Sequence, residues 1–215
     1  MSLAGLTVEA LKSIYHWKGR TGVVPLLSLS HEENVPTYYS AAILLLAALG
    51  SALLSAAVRR DGRRDSMAWG GLAVGFFYIS MDEVLQFHEK WGSSIHTTGV
   101  LHFSWVIPAG VLLAALGALY APFLLRMPAR WRNRLLLAGA VYVTGAVVLE
   151  LPLGAWTEAQ GEKTLGYALI DWLEETLEMT GIALYLLTVF DLLSARGTTL
   201  RFGAIAPPPG AEGPQ

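Results

Sequence analysis

The chain of 215 residues contains no cysteine. This absence excludes disulfides, thiolate metal ligands, iron–sulfur clusters and cysteine nucleophiles. Charged residues are also scarce, at 15% of the chain against 53% hydrophobic residues, which is too apolar for an ordinary soluble domain. No basic patch interleaved with aromatic residues is present, so we expect no nucleic-acid partner. Residues 1–30 also lack the charged, apolar and small-residue succession of a secretory signal peptide.

Apolar runs of about 20 residues recur along the chain, and this length crosses roughly 30 Å of hydrocarbon. The predicted fold class is all-α, a polytopic membrane helical bundle of about five transmembrane helices within residues 38–195, in contact with membrane lipid. Residues 1–37 are interpreted as an extracytoplasmic or interfacial segment, with a re-entrant or additional spanning element as the alternative. Residues 196–215 are interpreted as a Pro-rich cytoplasmic tail. The predicted spans are 38–58, 66–89, 101–125, 135–153 and 164–193.

Basic residues are concentrated in a few of the predicted loops. Ten of the 15 fall on one side of the five-span arrangement, mainly in the runs at 59–64 and 126–134, together with four acidic residues. The other side has five basic residues, thirteen acidic residues and all five histidines. The positive-inside rule therefore predicts the N-terminus outside and the C-terminus in the cytoplasm. An acidic face that also carries imidazoles is then extracytoplasmic.

Two rows of ionisable residues interrupt the apolar sequence. The first row is Asp82, Glu83, His88 and Glu89, which follows an apolar stretch with no turn signal. On one continuous helix Asp82, Gln86 and Glu89 would share a stripe, whereas Asp82 and His88, six residues apart, would not share a face. The second row is Asp171, Glu174, Glu175 and Glu178, spaced i, i+3, i+4 and i+7. We expect the two rows to converge, because charges at membrane depth usually face a bundle interior, a cavity or a metal.

Carboxylates with imidazole suit Zn, Mn or Fe, and carboxylates alone suit Ca, Mg or Mn. We therefore predict a divalent metal ion (Zn, Mn, Fe or Ca) as a candidate cofactor. The match to a carboxylate-bridged di-metal bundle is only partial, since no Glu-x-x-His motif occurs. The candidate ligands are Asp82, Glu83, His88, Glu89, His102, Glu150, Glu174, Glu175 and Glu178.

Simpler interpretations of the same residues stay open. The acidic residues of the first row could end a helix in water, and His88 and His102 could each cap a helix by hydrogen bonding. Four carboxylates on one stripe repel one another unless protons, a cation or a partner compensate them. Trp17, Trp91, Trp105 and Trp156 are interpreted as an aromatic belt at the membrane interface.

Three segments carry a resemblance: E-N-V-P-T-Y-Y-S (33–40), Y-I-S-M-D-E-V-L-Q-F-H-E-K (78–90) and L-E-E-T-L-E-M-T-G (173–181). Over most of residues 31–195 the chain resembles an uncharacterised family of bacterial multi-pass membrane proteins. Its motifs read S-x-D-E-x4-H-E-K and L-E-E-x-L-E-M-x-G. The resemblance implies a multi-pass protein of the bacterial inner (cytoplasmic) membrane, and it implies no activity. It also places Glu33 and Asn34 on the face of the acidic rows.

These observations predict an integral membrane protein with an acidic and histidine-containing site in the extracytoplasmic half of the bundle. The site would bind a divalent metal or relay protons, and it could act on a lipid-soluble substrate. The residues leave open whether the protein is an enzyme. One alternative is a non-catalytic accessory subunit of a larger membrane complex, whose other subunits would be its partners. The second is a small cation transporter that works as an oligomer.

Overall fold

The computed structural model describes residues 34–91 and 96–197, together with Thr7. Within these ranges the chain is helical and contains no strand. Most of the predicted segments 1–37 and 196–215 lies outside the described residues. The helices are α1 Val35–Arg60, α2 Ser66–Leu85, α3 Phe87–Trp91, α4 Val106–Arg126, α5 Ala129–Val143, α6 Glu150–Gln160 and α7 Leu165–Ala195. A 3₁₀ turn, Gly99–Leu101, precedes α4, and a π-helical segment, Thr144–Leu149 (the π turn), joins α5 to α6.

Four of these helical runs are long and apolar enough to cross a membrane: α1, α4, the continuous run Ala129–Gln160, and α7. Within the described residues the all-α prediction is confirmed, and four helical runs have the length and composition of membrane spans. Helix α2 is 20 residues long but is not among the four, because glycine, serine and two carboxylates dilute its apolar residues. The number of actual crossings and the orientation of the termini stay predictions.

Several predicted boundaries differ from those of the structure, in most cases because polar residues at the ends of the apolar runs are also helical. The first helix begins at Val35, where the Asn34 side chain caps it by accepting a hydrogen bond from the Thr37 amide at 3.2 Å. The third begins only at Val106. The arginine-rich loop predicted at 126–134 is short, since α5 begins at Ala129. The polar loop predicted from residue 154 is helical as far as residue 160.

The largest correction concerns the second predicted span, which does not run unbroken to residue 89. Helix α2 ends at Leu85, and Gln86 takes a left-handed conformation with φ of 52°. A short separate helix, α3, follows at once. The expected stripe of Asp82, Gln86 and Glu89 on one continuous helix was therefore wrong, since the chain changes direction at Gln86.

The core lies where α1, α2, α5 and α7 meet. Leu44 and Leu54 of α1 pack in the same buried cluster as Ile182 and Val189 of α7. A Cβ atom added at Gly50 would lie 2.8 Å from Cγ1 of Val189, so α1 and α7 approach at a distance that only glycine permits. This contact fixes α7, which carries the second acidic row, against the first helix.

Helix α4 stands apart from this core along most of its length. Residues 111–119 are exposed without interruption. The helix is joined to α2 near its C-terminal end, where the Tyr120 hydroxyl donates to the Ala68 carbonyl at 3.0 Å and Phe123 meets Trp69 edge-to-face at 5.4 Å. Val106 is buried at the other end. The separation leaves room between α2 and α4 for the cavity described below.

The arginine-containing turns meet at one end of the bundle, which we name the basic end. Arg126 pairs with Asp65 at 3.2 Å, so the α4–α5 turn lies against the α1–α2 turn. Arg196, which follows α7, pairs with Asp61 at 2.8 Å. Asp82 and Glu83 lie at the opposite end of α2. The charge asymmetry of the sequence is therefore an end-to-end asymmetry of the folded bundle.

Candidate functional site

A cavity of about 1010 Å³ lies between α2, α4, the Ala129–Gln160 run and α7. Seven carboxyl groups and three histidines line it, and none of the described lining residues is Lys or Arg. We name it the acidic cavity. Apolar side chains of α2, α4 and the π turn complete its wall. Its ionisable lining residues are Asp82, Glu83, His88, His96, His102, Glu150, Asp171, Glu174, Glu175 and Glu178.

The turn at Gln86 brings the two ends of the first row together. His88 lies back against the end of α2, with its Nδ1 atom 2.8 Å from Oδ2 of Asp82. The His88 backbone amide donates to the other oxygen, Oδ1, at 2.9 Å. The expectation that Asp82 and His88 do not share a helix face assumed a continuous helix, and the break at Gln86 instead brings their side chains into contact. The His88 ring also packs on Trp105, with centroids 4.9 Å apart, so its orientation is held from two sides.

The second row is placed by one long helix. Thr164 caps α7, its side chain accepting a hydrogen bond from the Tyr167 amide at 3.3 Å. From that start the i, i+3, i+4, i+7 spacing turns all four acidic residues of the row to the cavity. The Oε2 atom of Glu174 is buried and has no hydrogen-bond partner among the described residues, and the same holds for Oε2 of Glu150. Two buried carboxyl oxygens are thus available to a ligand.

The π turn sets the position of Glu150 against this row. A Cβ atom at Gly145, inside the π turn, would lie 2.7 Å from the Glu174 carbonyl oxygen and 2.9 Å from Cγ of Glu178. A Cβ at Gly181 would lie 2.6 Å from the backbone nitrogen of Tyr142. Two glycines therefore let α5 and the π turn pack directly on α7. Single π-helical turns inserted in α-helices are frequent at functional sites.

The carboxyl groups of the different helices interact as one electrostatic unit. Glu178 is subject to repulsion from Glu83 of α2 and Glu150 of α6, as well as from its neighbours on α7. Glu150 is attracted to His88 and hydrogen-bonded by the Trp105 side chain. The two acidic rows, more than 80 positions apart in sequence, therefore interact electrostatically in the folded chain.

The remaining predicted residues lie at the edge of this arrangement. His102 is partly exposed, with Nδ1 3.9 Å from Oε2 of Glu158, so it lies at the cavity rim beside α6. His96 is exposed at the same rim. The side chain of Glu89 and all of Glu33 lie outside what the structure describes. Asn34 is the buried cap of α1 and does not line the cavity.

Sequence reasoning missed several aromatic residues of the cavity wall. Trp105, interpreted as a belt residue, lines the cavity and contacts both His88 and Glu150. Tyr142 and Tyr167 also line it and interact electrostatically with its carboxylates. Nothing in the local sequence of Tyr142 signals this role, because it depends on the close approach at Gly181.

The bound metal stays a prediction. Within residues 34–91 and 96–197, no three His, Asp or Glu side chains form a group that could hold a metal ion as they stand. The unpartnered Oε2 atoms of Glu150 and Glu174, together with the Asp82–His88 pair, are nevertheless donors of the type that divalent cations accept.

Comparison with known proteins yields no curated protein and no solved structure that matches the chain. A family model described as a domain of unknown function (DUF8692) matches residues 2–192. This supports the predicted uncharacterised family, whereas its bacterial multi-pass membrane character stays a prediction. Because the match covers far more than half of the chain, the protein belongs to the DUF8692 family.

Proposed function

We propose that this protein is an integral membrane protein whose acidic cavity binds a divalent cation, or takes up protons in its place. One observation carries the proposal. Seven carboxyl groups line a single cavity, and no Lys or Arg is among its described lining residues. Seven carboxyl groups against three histidines leave the described wall of the cavity with an excess of acidic groups. A cation or protons bound in the cavity would reduce that excess.

Burial makes this imbalance costly. Taking a carboxylate from water into a protein interior costs several kcal/mol unless it is paired or protonated. Repulsion among neighbouring carboxylates adds to that cost, and Glu178 is repelled by carboxylates on three helices. A bound cation or bound protons reduce both the cost of burying the carboxylates and the repulsion between them. The cavity is thus arranged to attract positive charge.

The residues fit a divalent cation in ligand type. Glu150 and Glu174 each have a buried carboxyl oxygen without a partner. His88 would add an imidazole whose Nδ1 is engaged by Asp82 at 2.8 Å, the kind of carboxylate contact that orients a coordinating histidine. This mixed set suits Zn, Mn or Fe, whereas the carboxylates alone suit Ca. A metal held there would act as a Lewis acid on a bound oxygen.

The same residues fit proton exchange. His88 contacts Asp82 at 2.8 Å and is electrostatically attracted to Glu150. An imidazole that interacts with two carboxylates can accept a proton from one and release it to the other. Chains of Asp, Glu and His of this kind mark proton relays in membrane proteins.

The apolar part of the cavity supports a lipid-soluble substrate. Val74 and Tyr78 of α2 and Leu116 of α4 line the cavity and are also exposed, Val74 to 71%. The cavity therefore opens sideways between α2 and α4, at the surface that would face lipid. If the protein is an enzyme, metal-assisted hydrolysis or oxidation of such a substrate fits this access.

The first test is elemental analysis of the purified protein, with Asp82→Asn and Glu178→Gln as site variants. Glu162→Gln is the matched control, because Glu162 is exposed and does not line the cavity. We expect one equivalent of metal in the wild type and the control, and loss of metal in both site variants. Equal metal content in all four proteins would place the metal elsewhere.

If the wild type contains no metal, infrared difference spectroscopy across a pH step tests the proton form of the proposal. We expect a protonated-carboxyl band that disappears in Glu178→Gln and persists in Glu162→Gln. Absence of both metal and that band overturns the proposal. The accessory-subunit and oligomeric-transporter alternatives stay predictions, which co-purification in mild detergent distinguishes.

A further inference from the structure

A second cavity, of about 350 Å³, lies at the basic end. Four arginines line it, Arg63, Arg126, Arg130 and Arg196, and the one described acidic residue in its wall is Asp65. We name it the basic pocket. It lies far from the acidic cavity and is independent of the function proposed above.

We propose that the basic pocket binds the phosphate group of an anionic membrane phospholipid. Asp65 is shared, since it pairs with Arg126 at 3.2 Å and lies 3.8 Å from Arg63. Arg196 is directed to Asp61. One carboxylate in the wall against four guanidinium groups leaves the pocket net positive.

Arg130 is the arginine available to the ligand. Its guanidinium group lies over the Trp131 ring, 4.4 Å from the centroid, and pairs with no carboxylate in residues 34–91 or 96–197. Stacking on an indole orients the planar group without occupying its N–H donors. Those donors can then bind two phosphate oxygens side by side, as arginine does at phosphate sites.

The floor of the pocket favours a lipid over free phosphate. Leu54, Trp69, Phe123 and Leu192 are each buried in the core and line the pocket beneath the arginines. The pocket also lies where α1, α4 and α7 end, which is the level of lipid head groups if these helices span the membrane. Basic pockets between transmembrane helices bind anionic head groups elsewhere. An arginine rim over an apolar floor complements a phosphate ester with an acyl chain.

The test is native mass spectrometry of the detergent-purified protein titrated with phosphatidylglycerol, and with phosphatidylcholine as the neutral reference. We expect Arg130→Gln to weaken phosphatidylglycerol binding about fivefold, the effect of one arginine near the membrane surface. Arg132→Gln is the matched control, because it removes the same charge two residues away, outside the pocket. We expect it to change the affinity less than about twofold.

Three results overturn the proposal: equal weakening by both variants, no weakening by Arg130→Gln, or inorganic phosphate displacing phosphatidylglycerol at equal concentration. The first two make the attraction non-specific, and the third assigns the pocket to free phosphate. Arg130→Lys distinguishes a folding defect from lost recognition. Lysine keeps the positive charge but lacks the planar guanidinium group, with its paired N–H donors and its stacking on Trp131. We therefore expect an intermediate affinity for phosphatidylglycerol at an unchanged unfolding temperature.

Discussion

The two ends of the bundle handle charge in opposite ways. At the basic end, arginines meet aspartates at short distances, and the participating side chains of the Arg126–Asp65 and Arg196–Asp61 pairs are 23 to 61% exposed to solvent. In the acidic cavity, carboxylates face one another with no described Lys or Arg in the wall. Exposed pairs contribute little to stability, whereas buried uncompensated charges are costly and are retained where they have a function. The comparison supports the function proposed for the acidic cavity, whereas the arginine–aspartate pairs at the basic end connect the turns.

The largest effect is expected from disrupting the contact between the π turn and α7, which forms one wall of the acidic cavity. We expect Gly145→Leu to prevent close packing of the π turn on α7 and to destabilise the protein by about 3 kcal/mol or more. Gly139→Leu is the control, since nothing lies within 4 Å of a Cβ at that position. Thermal unfolding in detergent measures both. Equal losses would mean that the glycine contact at Gly145 has no special role.

The Asp82–His88 pair provides the next largest effect. Asp82→Asn removes the negative charge and replaces one of the two carboxylate oxygens by an NH2 group, so only one oxygen remains to accept from the ring or the backbone amide of His88. We expect a loss of about 1–3 kcal/mol. Hydrogen exchange should increase in α3 and stay unchanged in α7. His96→Gln serves as the control, because His96 is exposed at the rim. Unchanged exchange in α3 would show that the pair does not hold that helix.

Neutralising a cavity carboxylate should increase the stability of the protein, in contrast to the losses expected above. Glu174→Gln keeps the shape of the side chain and removes repulsion from Glu150, Asp171 and Glu175. We expect the protein without added metal to gain about 1 kcal/mol at pH about 9, where carboxyl groups of ordinary acidity are ionised. Unfolding temperatures at that pH measure the gain. A loss of stability would mean that the Glu174 charge is already compensated.

The smallest effect is expected at the basic end. Arg126→Gln breaks the exposed pair with Asp65, and we expect a loss of no more than about 1 kcal/mol that shrinks as salt is added. Arg132→Gln, outside the basic pocket, should change stability still less. Unfolding temperatures at low and high salt measure both variants. A loss as large as that of Asp82→Asn would contradict the difference between the two ends.

Sequence alone identified the helices well because apolar runs of membrane length leave few alternatives. The fifth predicted span, 164–193, differs from α7 by only one or two residues at each end. The i, i+3, i+4, i+7 spacing also placed the second acidic row on one face correctly, since helical periodicity is local. The polar ends of the helices were missed because an apolar composition identifies only the residues that would lie in hydrocarbon. Backbone hydrogen bonding continues each helix into the flanking polar residues.

What only the tertiary structure decided is how the local features meet. The left-handed conformation of Gln86 turns His88 back onto Asp82, and no periodicity calculation shows it. The π turn and the two glycine contacts bring Glu150 and Tyr142 to α7, and they depend on which surfaces face each other. Chain composition thus determined that acidic residues lie in apolar helices. Packing between residues far apart in sequence determined that they line one cavity, because distances across a bundle are set by side-chain volume and close backbone approach.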